Sequence, residues 1–280
     1  MELFAYTGGR PFDATRPTVV FIHGAQHDHS VWILQSRYLA HHGFNALAFD
    51  LPGHGRSLGP ACRSVQAYAD AVFAALATRN VKNMMLVGHS MGSLIALEVA
   101  RRLPERVAGI ALIGTAAPMK VSDALLAATR DDPRAAMDMI NVWSHAAGIA
   151  PFAARPGNPG PGFNIVWQNL RLMQRIEREH GPNTLIADFV ACNAYAAGLD
   201  AAAALRCPAL FVLGAADQMT PPKAASALID AVTTPKTVVT LERTGHAMMA
   251  ENPEGVREAL VAFATRLLSA SSALDRSGQC

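Results

Sequence analysis

A chain of 280 residues with 51% hydrophobic and 16% charged side chains can bury a large single core, and 24 Lys+Arg against 22 Asp+Glu leave almost no net field. That balance excludes a disordered chain and a basic nucleic-acid binder, so no nucleic-acid partner is expected. The longest uncharged apolar stretches, such as residues 107–119, fall short of the roughly 20 residues that span a bilayer, and no membrane partner is expected either.

The opening Met1-Glu2-Leu3-Phe4-Ala5-Tyr6 has neither the basic nor the apolar region of a secretory signal, which predicts a cytoplasmic protein. Short Val-, Ile-, Leu- and Phe-rich runs, the pattern of strands buried on both faces, follow at 19–22, 46–49, 84–87, 110–113, 210–213 and 238–241. Segments of helical period lie between most of them, at 31–42, 65–78, 91–103, 223–232 and 253–268. Strand alternating with helix predicts an α/β class, a mostly parallel, doubly wound sheet with helices on both faces.

The connection 118–206 is too long for a simple crossover and predicts a folded insertion, so that 1–117 and 207–268 form the main domain. Within it, 122–129 and 133–145 read as helices, and 151–162 is a Pro- and Gly-rich break. Phe163, Val166, Trp167, Leu170, Met173 and Ile176 then make one apolar helical stripe, expected to pack within the insertion or on the main domain. Residues 269–280 are small and polar apart from Leu274 and read as a disordered tail. Cys62, Cys192, Cys207 and Cys280 form no Cys-x-x-Cys pair and read as free thiols.

Gly88-His89-Ser90-Met91-Gly92 is a G-x-S-x-G set between the run 84–87 and the helix 91–103. Strand, tight turn and helix is the context in which this motif presents a serine hydroxyl, and only very small residues fit two positions either side. A serine is a poor nucleophile near neutral pH, so the chemistry needs a histidine base and a carboxylate to orient it. Of ten histidines, His246 follows the run 238–241 in Thr244-Gly245-His246-Ala247, and Asp217 follows 210–213 in Gly214-Ala215-Ala216-Asp217. The turn His23-Gly24-Ala25 after the first run can expose a backbone donor, so Ala25 and Met91 are the expected oxyanion-binding N–H groups. Each of these groups follows the carboxyl end of a separate strand, and in a parallel sheet those ends share one edge.

With these motifs, the sequence resembles the α/β-hydrolase family. The supporting residues are His23-Gly24, Asp50-Leu51-Pro52-Gly53-His54-Gly55-Arg56-Ser57, Gly88 to Gly92, Gly214 to Asp217, and Gly245-His246 with Glu251-Asn252-Pro253-Glu254. The resemblance implies an eight-stranded, mostly parallel sheet with 118–206 as a helical cap over the site. One departure is that only Glu2 to Phe12 precede the run at Val19, so the first antiparallel strands must be short or missing.

Other conspicuous residues have plainer readings. Asp50 and Arg56 are expected to fix their own loop as a pair, His23 to be structural, and His89 and Met91 to be set by packing. His27-Asp28-His29 offers two imidazoles and a carboxylate, but neighbours in one loop rarely converge on an ion without ligands from elsewhere; they are expected at the entrance, and neither a metal nor a cofactor is expected. Trp32, Met119, Trp143, Trp167, Met219 and Met248 are the candidates for an apolar acyl pocket, with core packing the alternative for each.

A serine at position 90 excludes, by resemblance, relatives with an aspartate nucleophile. Carbon–carbon bond hydrolases of aromatic ring cleavage share the triad and cap but usually carry tryptophan after the histidine, where this chain has Ala247. The stretch from His23 to Trp32 is also similar to plant methylesterases and hydroxynitrile lyases, but the lyases usually place lysine at the position of Ala247. The expectation is a serine hydrolase cleaving a small to medium, mainly uncharged carboxylic ester through an acyl-enzyme, with that small molecule as its partner. The alternatives are a carbon–carbon bond hydrolase and a hydrolase-fold ligand-binding protein with little turnover.

Overall fold

Each of the six apolar runs is a strand in the computed structural model, which describes residues 2–79, 81, 83–146 and 164–277. They are β2 (Thr18–Ile22), β3 (Asn45–Phe49), β4 (Met84–His89), β5 (Val107–Ile113), β6 (Ala209–Gly214) and β7 (Lys236–Leu241), joined by a two-residue β1 (Ala5–Tyr6). The sheet order is β1-β3-β2-β4-β5-β6-β7, with β1 antiparallel and every other pair parallel. Among the described residues the sheet therefore has seven strands and not eight. The antiparallel edge among the described residues is the pairing of Ala5 and Tyr6 with Phe49 and Ala48.

The strands' period of two divides the core between the two faces. Val20, Ile22, Leu47, Phe49 and Leu86 pack with Tyr68 and Val72 of α2 (Val65–Ala77) and Leu94 and Leu97 of α3 (Met91–Arg102). Val19, Phe21, Ala46, Ala48 and Val87 face Leu39 of α1 (Ile33–His41) and Leu260 and Phe263 of α11 (Pro253–Ser277). Truncating one of these fully buried side chains to alanine costs about 2–5 kcal/mol. The last helix runs to Ser277, past the expected end at 268, because no glycine or proline interrupts the chain before Gly278. Among the described residues no helix is long and apolar enough to cross a membrane.

The connection from β5 to β6 opens with α4 (Asp123–Asp131) and α5 (Pro133–Ser144), capped by the side chains of Ser122 and Asp132, and Pro133 occupies the first turn of α5. It continues with α6 (Ile165–His180), capped by Asn164, then α7 (Asn183–Ala194) and α8 (Gly198–Ala203). Leu125, Met137, Ile140, Met173, Leu185 and Phe189 form a small core of their own. Helix α8 departs from the expected boundary at 206: Ala201, Ala202 and the following Leu205 join the main core beside α3. In the apolar stripe Met173 and Ile176 are buried, whereas Trp167 is 55% exposed; Phe163 and the break 151–162 lie outside the described residues.

Candidate active site

From β2 the chain passes first to β3 on one side and then to β4 on the other, so the carboxyl ends of β2 and β4 flank a crevice at the point where the winding reverses. Ile22 pairs with Gly88 across that crevice, which brings the loop beginning His23-Gly24-Ala25 beside Ser90. A Cβ built on Gly24 would lie 3.2 Å from the Cβ of Ser90 and 3.0 Å from His89 Nδ1, so a side chain here would crowd the serine and its neighbour by a few tenths of an ångström.

Ser90 adopts φ 52° and ψ −121° at the junction of β4 and α3, a region that costs a non-glycine residue about 1–3 kcal/mol. Its N–H donates to Ile113 O at 2.9 Å, and Ser93 Oγ donates to its carbonyl at 2.6 Å, which fixes the turn from both ends. A Cβ on Gly88 would overlap the carbonyl of Gly92, and one on Gly92 would overlap that of Ile22. A serine preceding a helix ordinarily caps it, but the Ser90 side chain makes no capping bond, and its half-buried hydroxyl lines a cavity. The Met91 N–H opens α3, where the backbone donors have no intrahelical partner and the helix dipole favours negative charge.

Asp217 and His246 reach the same edge from β6 and β7. His246 Nδ1 donates to Asp217 Oδ2 at 2.8 Å, and both side chains are buried. Asp217 Oδ1 accepts the backbone N–H groups of Met219 and Thr220, each at 2.8 Å, and Oδ2 also accepts the Thr220 hydroxyl at 2.9 Å. Burial pushes the Asp217 carboxyl up, but the attraction of His246 and the Thr220 donors outweighs it and holds the group below the usual carboxylate range. The imidazole lies against Gly114, whose added Cβ would come within 3.2 Å of both His246 Cε1 and Nδ1. His89 Nε2 donates to the His246 carbonyl at 2.9 Å, while Glu251 takes the N–H groups of Gly245 and Ala146 at 3.1 and 3.0 Å. Thr220 and Gly114 are supports that the sequence reading did not single out, and Glu251 entered it only as part of the family motif; for Gly114 the absence of a side chain, and hence of any motif, is the reason.

Ser90 and His246 line one cavity of about 330 Å³, together with Ala25, Met119, Trp143 and Met219. Three expected pocket residues do not line it. Trp32 is fully buried under the sheet against Phe21, 5.3 Å between ring centroids, and Met248 is buried in the same core. Trp167 sits on the outer side of α6 in a separate groove with Leu34 and Met249. The cavity instead takes Leu125, Ile140, Phe189 and Cys192 from the insertion, and burial raises the Cys192 thiol far above its ordinary range.

Of His27-Asp28-His29, His27 alone lines the cavity, with Nε2 2.9 Å from Asn169 Oδ1. Asp28 pairs with Arg175 of α6, and His29 Nδ1 bonds Asp50 at 2.8 Å. Asp28, His29 and Asp50 offer ligand atoms within 4.8 Å of one another, but these atoms are engaged in hydrogen bonds within the protein, His29 Nδ1 donating to Asp50 and both carboxylates accepting. Asp50 holds its loop through the Arg56 backbone N–H at 2.8 Å and not through the guanidinium, which lies over the Phe4 ring. His23 bridges Gly24 O and the Leu51 N–H, a structural role.

Residues 19–259 match the model of the alpha/beta hydrolase family. The chain belongs to the alpha/beta hydrolase family. With the family comes the enzyme class, a hydrolase. The chain is 29% identical over 262 residues to a non-heme chloroperoxidase of Streptomyces lividans, covering 88% of this chain and 90% of that one. Its fold is similar to an esterase from Exiguobacterium antarcticum, with TM-score 0.76, 20% identity, and 93% and 94% of the two chains covered. It is also similar to a bromoperoxidase from Bacillus anthracis, with TM-score 0.78, 19% identity, and 94% and 100% covered.

Proposed function

We propose that the protein is a serine hydrolase of a small to medium, mainly uncharged carboxylic ester, working through an acyl-enzyme. The observation that carries this reading is the 2.8 Å His246–Asp217 bond on the same cavity as a serine at φ 52°. His246 Nε2 takes the Ser90 proton as Oγ attacks the ester carbonyl. The N–H groups of Ala25 and Met91 hold the oxyanion, with the N-terminus of α3 adding to the field. Asp217 steadies the imidazolium, which then protonates the departing alcohol. Water, deprotonated by His246, attacks the acyl carbon, and as the bond to Oγ breaks the imidazolium returns that proton to Ser90, releasing the acid.

Helices α4 to α7, within the connection 118–206, act as the cap, and the apolar walls they supply, Leu125, Ile140, Trp143 and Phe189, favour an apolar acyl or alkyl group. The esterase neighbour agrees with this substrate class. Cys62, Cys192 and Cys207 stand as free thiols, in keeping with a reducing cytoplasm. Stoichiometric labelling by a fluorophosphonate and turnover of p-nitrophenyl esters, both abolished in Ser90→Ala, test the proposal. Equal turnover by wild type and Ser90→Ala defeats it, and labelling without turnover of any ester would leave a ligand-binding protein. The chloroperoxidase relative favours a second reading, which a peroxide- and halide-dependent halogenation assay on the same two proteins addresses.

A further inference from the structure

The loop that carries the Ala25 donor is held from above. Gln26, the next residue, is fully buried and adopts φ 53°, left-handed backbone that only glycine takes without strain. Two hydrogen bonds hold it there. Its N–H donates to Asp188 Oδ2 at 2.8 Å, and its side-chain Nε2 donates to Met173 O at 3.0 Å. Asp188 lies on α7 and Met173 on α6, so both acceptors belong to the insertion over the site.

Asp188 is itself fully buried and is fixed by two further donors from the main domain. Tyr68 of α2 donates its hydroxyl to Oδ1 at 2.5 Å, and His54, from the loop after β3, places Nε2 2.9 Å from Oδ2. The other His54 nitrogen faces Pro52 O at 3.0 Å. A buried carboxylate with a charged hydrogen-bond partner and two more donors is rigid, and removing one member leaves the rest unsatisfied.

We infer that Asp188 is a positioning residue for the oxyanion hole: through the Gln26 N–H it sets the direction of the Ala25 N–H, so that seating of the cap and assembly of the hole are one event. This rests on the proposed ester chemistry, in which Ala25 is a donor. Asp188 does not line the cavity, so its effect falls on the transition state and not on substrate affinity.

Asp188→Asn tests this by steady-state kinetics on a p-nitrophenyl ester, together with inhibition by a trifluoromethyl ketone whose hemiketal oxyanion occupies the hole. The expected result is a fall in kcat of about 10- to 100-fold with KM within about 3-fold, and weaker ketone inhibition by the same factor as kcat. Tyr68→Phe removes a donor from Asp188 without touching Gln26, so it lowers the melting temperature while kcat stays within about 3-fold. If Asp188→Asn does not fold, Asp188→Glu, which keeps the charge but moves the carboxylate off the Gln26 N–H, carries the test with a parallel loss of about 3- to 10-fold in kcat and ketone affinity. Unchanged kcat and ketone affinity in whichever of these two variants folds overturns the inference, as does a loss in Asp188→Asn that Tyr68→Phe reproduces at equal stability. Failure of the ester reading itself is distinguishable, because the wild-type protein would then neither turn over the ester nor bind the ketone.

Discussion

Thr220 donates its hydroxyl to Asp217 Oδ2, the same oxygen that accepts from His246 Nδ1, and the hydroxyl oxygen itself lies 3.1 Å from that nitrogen. The threonine is thus a further contact that holds the imidazole and the carboxylate together. Thr220→Val removes this donor but leaves the two backbone N–H groups on Oδ1, so kcat/KM is expected to fall about 5-fold, the kinetic equivalent of about 1 kcal/mol. Asp217→Asn places an amide against the imidazole, can stabilise the wrong tautomer, and is expected to lose about 10³- to 10⁴-fold. Steady-state kinetics on a p-nitrophenyl ester separates the two, and equal losses would mean that Thr220 matters as much as the carboxylate.

The pH–rate profile follows from the same pair. A protonated imidazole cannot accept the serine proton, so kcat/KM is expected to fall on acidification with a slope of one. Asp217, held below the usual carboxylate range by His246 and Thr220 despite its burial, stays ionised through that fall and adds no second proton to it. A profile with no acid limb would contradict the mechanism, and a slope of two would contradict the single-base assignment.

Much of this site is legible along the chain because tight turns demand particular residues. Gly88 and Gly92 stand where any Cβ would overlap backbone, and that necessity is what makes the serine motif readable. The strands are legible for a related reason: parallel strands covered on both faces must be apolar throughout. The walls of the cavity are not legible, because nothing in their local pattern distinguishes a large residue facing the substrate from one facing the core. Trp32 and Trp143 are both tryptophans in helical stretches, and only the sheet beneath Trp32 and the cavity beside Trp143 separate them. Asp188 is hidden for another reason, since its partners His54, Tyr68 and Gln26 are distant in sequence and come from three different elements.

Glycine substitutions distinguish folding from chemistry at this edge. Gly88→Ala forces a Cβ onto the Gly92 carbonyl and is expected to cost about 3 kcal/mol or more, with loss of soluble protein. Gly114→Ala meets a side chain instead, His246, in addition to the strain of φ 55°. It is expected to fold with a lowered melting temperature and to lose more than about 10-fold in kcat as the imidazole is displaced. Circular dichroism melting alongside kinetics reads both effects, and full activity in Gly114→Ala would show that the imidazole has room to move.

Stability should also depend on pH in a definite direction. Burial lowers His27 to about 4, and it pushes His23 and His89 well below their ordinary value. An unfolded chain takes up these protons near pH 6.5 while the folded protein refuses them, so acidification from about pH 6.5 to about pH 4 progressively favours unfolding. His54 works in the opposite sense. Burial lowers it, but Asp188 more than compensates and raises it, so its contribution is present below the unfolded value and is lost as pH rises through the raised one. Melting temperature measured across this range should therefore fall on the acid side, and His27→Gln should flatten that fall. An acid limb unaltered by His27→Gln would remove His27 from the account.

The chain's three tryptophans give a final test, since each occupies a different environment and each should fail differently. Trp143 lines the cavity, so Trp143→Ala enlarges the space around the substrate and is expected to raise KM for a short-chain ester about 10-fold, with a smaller effect on longer chains that fill the space. Trp32 packs fully buried on Phe21, so Trp32→Ala is expected to cost about 3–5 kcal/mol of stability, which a denaturant titration measures. Trp167 stands more than half exposed on α6 with Arg171 over its ring, and Trp167→Ala should leave both stability and kcat/KM within about 2-fold of wild type. A chain-length preference that moved with Trp167 and not with Trp143 would place the acyl group in the outer groove beyond His27, which among the described residues borders both spaces.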